Sequence, residues 1–320
     1  MNKTIIFYDN NLTLRGTSVA LYNYADYNEK ILGNKSIIMA KPDDNINKAK
    51  EKFTKRFETH FIWYNTAGVE QFMKDNKVDY FYVIKEGGMS DGILLTERPT
   101  LVHSVFCKNE PHGHRYAYVS DWLAKNQGYD PETHSVPHIV EKLPTPKYDL
   151  REKLGIPKNK LIFGYYGGST EFNINWVYEV IKRILNERND IVFLFMNVNP
   201  FTDPHQNIIH LPGTWDLEEK SSFVNACDAM IHARLYGETF GLACGEFALE
   251  NKPIITYNGS GERNHIEVLG ERGIYYNNYE ELYDIINNFK NYIKYDDYYV
   301  SYLQFNPELV MDKFNKIFLS

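Results

Sequence analysis

Short apolar runs alternate with longer helix-patterned segments along the whole chain, and this alternation constrains the fold more than any other feature. Strands that alternate with helical segments form parallel sheets with helical crossovers. The segment Thr17–Leu32 has roughly helical spacing of its apolar residues and directly follows a strand and turn. The predicted strands of the first half are Lys3–Tyr8, Ser36–Ala40, Thr59–Tyr64, Val78–Ile84, Thr100–Phe106 and Tyr116–Val119. The pattern therefore predicts an α/β protein.

A segment with two prolines, Leu143–Asp149, divides the alternation into two sets. Pro144 and Pro146 prevent a helix from continuing and favour an extended connector. A chain of 320 residues also suits two domains better than one. We therefore place an N-terminal Rossmann-like, doubly wound domain at residues 1–146 and a second one at residues 147–304.

The second domain repeats the pattern of the first, and the chain then ends in an amphipathic segment. Its predicted strands are Leu161–Tyr166, Ile191–Met196, Ile208–Leu211, Ala229–His232, Ile254–Tyr257 and Ile274–Tyr276, with helices at Asn175–Asn186, Leu217–Cys227 and Glu280–Phe289. The last segment, Pro307–Phe318, has an apolar face that needs a partner. We expect this C-terminal helix, at about residues 305–320, to pack back on the first domain.

Composition and charge exclude several classes of function. The 42 acidic and 35 basic residues give a net charge of -7, which opposes binding to nucleic acid or anionic lipid, and no P-loop motif is present. The three cysteines, Cys107, Cys227 and Cys244, lack the spacing of a disulfide framework or a zinc site. The first apolar run stops at Asp9, too early for a signal peptide or a membrane span. We expect a cytoplasmic protein with no transmembrane segment.

The most informative segment runs from His232 to Thr256 and is predicted to form a strand, a glycine-containing loop, a helix and a strand. Gly237 and Gly241 allow the backbone to approach a ligand closely. The helix that starts near Phe240 offers unpaired N–H groups and the positive end of its dipole to an anion. The segment therefore predicts a site for a diphosphate.

Two carboxylates flank this predicted anion site. Glu246 lies roughly 9 Å further along the helix axis, about the reach from a diphosphate to a hydroxylated ring. Glu238, in the loop, can accept charge-assisted hydrogen bonds from hydroxyls at the opposite end of the same ligand. The pair predicts a nucleotide-sugar site. The alternative is a loop that only turns a strand into a helix, with both glutamates solvated.

The Glu-x7-Glu element of Glu238 and Glu246, followed by Asn251–Ile255, resembles that of retaining GT-B glycosyltransferases of family 4. The resemblance implies two Rossmann-like domains facing across a cleft. It also implies that Glu238 holds sugar hydroxyls, that Glu246 holds the ribose, and that loop amides hold the diphosphate. These amides belong to Thr239, Phe240, Gly241 and Leu242. The family works without a divalent metal or other cofactor, and the absence of an Asp-x-Asp triplet from this sequence agrees with that.

The resemblance also points to residues of the first domain. Gly16 and Thr17 lie at the first strand-to-helix junction, where the family has a glycine-rich loop that reaches the donor diphosphate and the acceptor. A single glycine there also suits an ordinary turn. His103 lies near the carboxyl end of a predicted strand, where ligands of open α/β sheets bind. The resemblance implies that it faces the donor sugar, and a buried, hydrogen-bonded histidine is the alternative.

The first loop of the second domain departs most from the family. Gly168 and Ser169 follow a predicted strand and, by resemblance, flank the diphosphate. The Arg and Lys that neutralise the diphosphate in the family are missing, and the segment Glu171–Asn175 stands in their place. We expect Arg234, just ahead of the Gly237 loop, to supply the charge. Arg263 is a second candidate, and a surface role for Arg234 is the other alternative.

These features predict a transferase that moves a hexosyl or deoxyhexosyl group from a nucleotide-diphosphate-sugar to a glycan, lipid or protein-linked acceptor. The resemblance implies that this transferase is retaining and metal-independent. The predicted catalytic residues are Glu238, His103 and Arg234, and the resemblance places Gly213 and Thr214 against the base. One alternative is a catalytically weak or inactive nucleotide-sugar-binding GT-B protein. Others are a nucleotide-sugar epimerase and a pyridoxal-dependent phosphorylase.

Overall fold

The computed structural model describes residues 2–63 and 66–320, and the chain divides into two compact units. Unit 1 contains Met1–Ile139 and Gln304–Ser320, and unit 2 contains Val140–Leu303. Each unit has a six-stranded parallel sheet with flanking helices, so the predicted doubly wound α/β class is confirmed. Within the described ranges, no helix combines the length and apolarity needed to cross a membrane.

Unit 1 has the strand order β3-β2-β1-β4-β5-β6. Its strands are β1 (Thr4–Asp9), β2 (Lys35–Ala40), β3 (Glu58–Phe61), β4 (Tyr80–Lys85), β5 (Thr100–Ser104) and β6 (Arg115–Tyr118). Most residues of β1, β4 and β5 are buried, as expected for parallel strands covered on both faces. The order reverses between β1 and β4, which is the topological switch point of this sheet. The predicted third strand ended at Tyr64, which lies outside the described residues.

The helices of unit 1 are short except for the first. Those in its N-terminal part are α1 (Gly16–Lys30), α2 (Asn47–Arg56), α3 (Thr66–Asp75), α4 (Asp121–Asn126) and α5 (Pro131–His134). The last two begin at capping side chains, because Ser120 accepts a hydrogen bond from the Leu123 amide and Asp130 accepts one from the Glu132 amide.

Unit 2 has the order β14-β12-β10-β7-β8-β9, with a separate pair formed by β11 and β13. Its strands are β7 (Leu161–Tyr166), β8 (Ile191–Met196), β9 (Ile208–Leu211), β10 (Ala229–His232), β11 (Gly237–Glu238), β12 (Ile254–Tyr257), β13 (Glu262–Arg263) and β14 (Ile274–Tyr276). Its helices are α6 (Leu150–Lys153), α7 (Asn175–Glu187), α8 (Leu217–Ala226), α9 (Leu242–Leu249), α10 (Asn264–Leu269), α11 (Tyr279–Asn287) and α12 (Phe289–Tyr292). The switch point lies between β7 and β10, so the loops after these strands form the expected ligand-binding edge.

The connector and the C-terminal helix explain where the two units divide. The proline segment packs along unit 2, where the Leu143 amide donates to Glu250 and Pro144 accepts from the Ser221 hydroxyl. For this reason the units divide at Ile139 and Val140, ahead of the boundary placed at 146 from the sequence. Helix α13 (Pro307–Phe314) and the π-helical turn Asn315–Leu319 belong to unit 1, and rings of its core (Phe7, Tyr24 and Tyr82) pack against Phe314.

Candidate functional site

The loop after β10 is shaped by two glycines in the left-handed region. Gly237 has φ 84° and Gly241 has φ 94°, conformations that residues with a side chain rarely adopt. The β11–β13 pair holds the loop in place, with Gly237 opposite Glu262. Gly241 is the N-cap of α9, and no side chain caps that helix. The first turn of α9 therefore points its amide groups at a position suited to an anion.

Glu238 lies in this loop, and its carboxylate accepts hydrogen bonds from the side chains of Arg234 and His232. Its Oε2 is 2.7 Å from an Nη of Arg234, and its Oε1 is 3.2 Å from Nε2 of His232. Burial by itself would raise the pKa of Glu238, but the Arg234 charge and the His232 hydrogen bond outweigh it and lower the pKa to about 2. Glu238 is therefore ionised and keeps part of its surface exposed, so it can accept hydrogen bonds from a ligand.

Arg234 links Glu238 to the first loop of unit 2. Its Nε is 2.6 Å from Oε2 of Glu171, so two carboxylates share one guanidinium. The charge of Arg234 also acts on a third carboxyl group, that of Glu262. Burial raises the pKa of Glu262 to about 7, with added repulsion from Glu238 and Glu171 and against the opposing effect of Arg234. The site is thus richer in carboxylates than in cations.

A chain of hydrogen bonds extends from Glu238 into the core. His232 Nδ1 is 2.9 Å from the Thr256 hydroxyl, which is 3.0 Å from Nε2 of His265. An ionised carboxylate can only accept, so Nε2 of His232 donates to it, and in the neutral ring Nδ1 then accepts from the Thr256 hydroxyl. Thr256 then accepts from His265, whose pKa is held well below its ordinary value by burial. The charge on Glu238 therefore fixes the direction of the first hydrogen bond, and with a neutral His232 ring the other two follow from it.

Glu246 is held by a lysine that the sequence did not single out. Its two carboxylate oxygens are 3.0 and 3.1 Å from Nζ of Lys220 on α8, and both residues are buried. The same ammonium lies 5.1 Å from the centre of the Tyr166 ring at the end of β7. A sequence signal for Lys220 existed, because buried Phe223 and Val224 follow three and four residues later and place it on the apolar face of α8.

The remaining predicted donor residues of unit 2 lie on neighbouring loops. Ser169 is exposed, and its carbonyl accepts from the Asn199 amide at 2.9 Å. Gly213 packs against the Asn197 side chain, whose amide donates to the carbonyl of Gly167, next to Gly168. The Thr214 hydroxyl is bonded to the Glu219 carboxylate at 2.9 Å, next to the start of α8.

Three more predicted donor residues follow Glu238 in the chain. Thr239 and Phe240 are buried, and Leu242 begins α9. The Phe240 carbonyl accepts a hydrogen bond from the Asn264 side chain at 2.8 Å. Arg263 binds the carbonyl and side chain of Asn258, which commits it to the loop after β12, so the geometry favours Arg234 as the cation of the site.

The predicted residues of unit 1 differ in exposure. Gly16 is the exposed first residue of α1, and Thr17 follows it half-buried. His103 is fully buried, with Nδ1 2.7 Å from the Tyr82 hydroxyl and Nε2 2.8 Å from the Val136 carbonyl. Burial lowers its pKa to about 4, so it is neutral. These contacts favour the structural alternative for His103, and its catalytic role stays a prediction.

Comparison with known proteins identifies the fold. No protein-family model matches the chain, and no curated protein sequence matches it significantly. The structure is similar to a glycosyltransferase from Rickettsia africae, with a TM-score of 0.72 and 16% identity over 99% of this chain and 98% of that chain. It is also similar to Anabaena HepE, solved with UDP and glucose, with a TM-score of 0.71 and 13% identity over 100% of both chains.

A third similar structure is a Listeria monocytogenes protein assigned as a UDP-N-acetylglucosamine 2-epimerase, with a TM-score of 0.59 and 13% identity over 98% of this chain and 94% of that chain. At such identities the likeness shows the fold. The chain has the GT-B fold, so the resemblance to GT-B glycosyltransferases is confirmed at the level of the fold.

Proposed function

We propose that this protein is a retaining, metal-independent glycosyltransferase that uses a nucleotide-diphosphate-sugar as its donor. The observation that carries the proposal is the ionised Glu238 carboxylate beside the uncapped start of α9, at the switch point of the unit 2 sheet. This edge is where open α/β sheets bind ligands. UDP in the similar HepE structure supports a nucleoside diphosphate as the leaving group.

In this mechanism each group has one task. Glu238 accepts hydrogen bonds from hydroxyls of the donor sugar, which fixes the ring. The first amides of α9 and the Arg234 guanidinium stabilise the negative charge that develops on the departing diphosphate. Glu246, oriented by Lys220, accepts hydrogen bonds from the ribose. The acceptor hydroxyl attacks the anomeric carbon on the face that the diphosphate leaves, and its proton passes to the departing phosphate oxygen. The bond to the diphosphate breaks as the new glycosidic bond forms, so configuration is retained without a protein nucleophile.

The transferred group is proposed to be a hexose or deoxyhexose, and the acceptor a glycan, lipid or protein-linked hydroxyl. The carboxylate pair of the site, Glu238 and Glu246, suits a ligand with many hydroxyls. The three free thiols support a cytoplasmic location, since none of them is paired.

Two observations favour other functions. The guanidinium of Arg234 is already shared by Glu171 and Glu238, which supports a catalytically weak protein that binds nucleotide-sugars. The similar Listeria protein supports a nucleotide-sugar epimerase. An epimerase would convert the donor in the absence of any acceptor, whereas a binding protein would leave it unchanged.

The test begins with thermal stabilisation by UDP, GDP, ADP, dTDP and their sugars. A ligand at 100 times its Kd adds about 2.7 kcal/mol to the stability of the folded state. The donor identified in this way is then assayed for nucleotide release with and without hydroxyl acceptors, in the presence of a chelator, and the product anomer is determined by NMR.

Glu238→Ala should lose transfer and keep the fold. Glu179→Ala is the matched control, because Glu179 forms an exposed ion pair with Lys182 on α7. Full turnover by Glu238→Ala, or an inverted product, would contradict the proposal.

A further inference from the structure

Glu171 forms an ion pair with Arg234, the arginine of the candidate donor site. Its Oε2 lies 2.6 Å from Arg234 Nε, while Glu238 binds an Nη of the same group at 2.7 Å. Glu171 follows β7, and its amide donates to the Gly168 carbonyl at 3.0 Å. Asn173, two residues later, is bonded to the Ala233 carbonyl, so the loop that carries Glu171 is fastened beside Arg234.

The two carboxylates on Arg234 are held differently. Glu238 is fixed by the β11–β13 pair and by His232, and its side chain is 20% exposed. The Glu171 side chain is 37% exposed, and Arg234 is the ion-pair partner that the structure gives it. Replacing Glu171 on the guanidinium therefore disturbs less of the surrounding structure than replacing Glu238.

Arginine binds carboxylates and phosphates through the same planar set of N–H donors. A donor phosphate that approaches Arg234 therefore meets a guanidinium that is already in an ion pair with Glu171. The local charge also opposes the phosphate, because Glu171 and Glu238 together outweigh the single positive charge of Arg234. An uncharged nucleoside would meet no such opposition.

We infer that Glu171 is a specificity-determining residue of the donor site, whose carboxylate takes the place of a phosphate oxygen on Arg234 and must leave before the donor diphosphate binds. The inference rests on the proposed function. Glu171 thus weakens the binding of ligands in proportion to their phosphate charge, and it favours release of the nucleoside diphosphate after transfer.

The experiment compares wild type with Glu171→Gln, which keeps the shape and removes the charge, and with Glu171→Ala as a second variant. Calorimetry measures binding of uridine, UMP and UDP, and of the guanosine, adenosine and thymidine series. Removing one negative charge next to a diphosphate in a partly exposed site should tighten UDP binding roughly 3- to 30-fold. UMP should gain less and uridine should change less than about twofold.

Glu179→Gln is the control, because it removes the same charge from the exposed face of α7. It should leave every affinity unchanged. Unchanged or weaker diphosphate binding by both Glu171 variants overturns the inference, because Glu171 would then only orient Arg234. If no nucleoside diphosphate binds wild type or either variant, the proposed function fails and the inference fails with it.

Discussion

Gly237→Ala tests whether the left-handed loop holds the site together. Gly237 has φ 84°, and an added Cβ would overlap the Glu262 carbonyl oxygen and lie 2.7 Å from Cβ of Ser260. A left-handed backbone costs a residue with a side chain about 1–2 kcal/mol. The overlap also pushes β11 from β13 and endangers the 2.6 Å hydrogen bond from the Glu262 amide to Tyr236, worth about 1 kcal/mol.

Against this loss, alanine lowers the conformational entropy of the unfolded chain, which returns about 0.4–1 kcal/mol. We therefore expect Gly237→Ala to destabilise unit 2 by about 2 kcal/mol. For a domain of this size, that lowers Tm by roughly 4–8 °C. Binding of UDP should weaken as well, because Glu238 is the next residue and moves with the displaced strand.

The measurement is differential scanning calorimetry with and without UDP. Gly261→Ala is the matched control in the facing loop, because a Cβ there meets no atom within 4 Å and its φ is not positive. It should leave Tm within about 2 °C of wild type. If Gly237→Ala melts like Gly261→Ala and binds UDP normally, the steric account of this loop is wrong.

Three further predictions concern the charged groups of unit 2. Glu238→Gln should lower kcat/KM for the donor by about ten- to hundredfold, which corresponds to the loss of one or two charged hydrogen bonds. The circular dichroism spectrum should not change. An unaltered kcat/KM would exclude the role of Glu238 in holding the sugar. Lys220→Met leaves Glu246 buried without its ammonium partner and should lower the free energy of unfolding, measured in urea, by about 3–5 kcal/mol. The double variant that also carries Glu246→Leu should recover much of this loss. Equal stability of the single and double variants would argue against the ion pair. The pKa of Glu262 is about 7 in the folded state and 4.5 ordinarily, so the folded state binds its proton more tightly and unit 2 should lose stability as pH rises between these values. Glu262→Gln should make the urea midpoint depend less on pH in this range. An identical pH dependence in the variant would refute the raised pKa.

The sequence by itself determined the fold class and the main loop. Alternating apolar runs and helical segments require parallel sheets, because each strand must be buried on both faces and joined by a crossover. Gly237 and Gly241 required a special backbone, and Glu238 stood between them. These features depend on residues close together in the chain, so local pattern sufficed to predict them.

Only the tertiary structure decided what surrounds Glu238. Glu171 contacts Arg234 from the loop after β7, and the charge of Arg234 acts on Glu262 in β13, far away in sequence. Lys220 contacts Glu246 from another helix. A carboxylate's pKa depends on burial and on charges within a few ångströms, and neither is visible in sequence order.

The same reason applies to His103, whose catalytic role stays a prediction. Its position at the end of a strand was correct, because β5 includes it. Whether the imidazole contacts a ligand or the core depends on what packs around it. Here its two nitrogens are hydrogen-bonded to the Tyr82 hydroxyl and the Val136 carbonyl. Sequence determined which strand ends carry polar groups, and tertiary packing decided which of those groups remain available to a ligand.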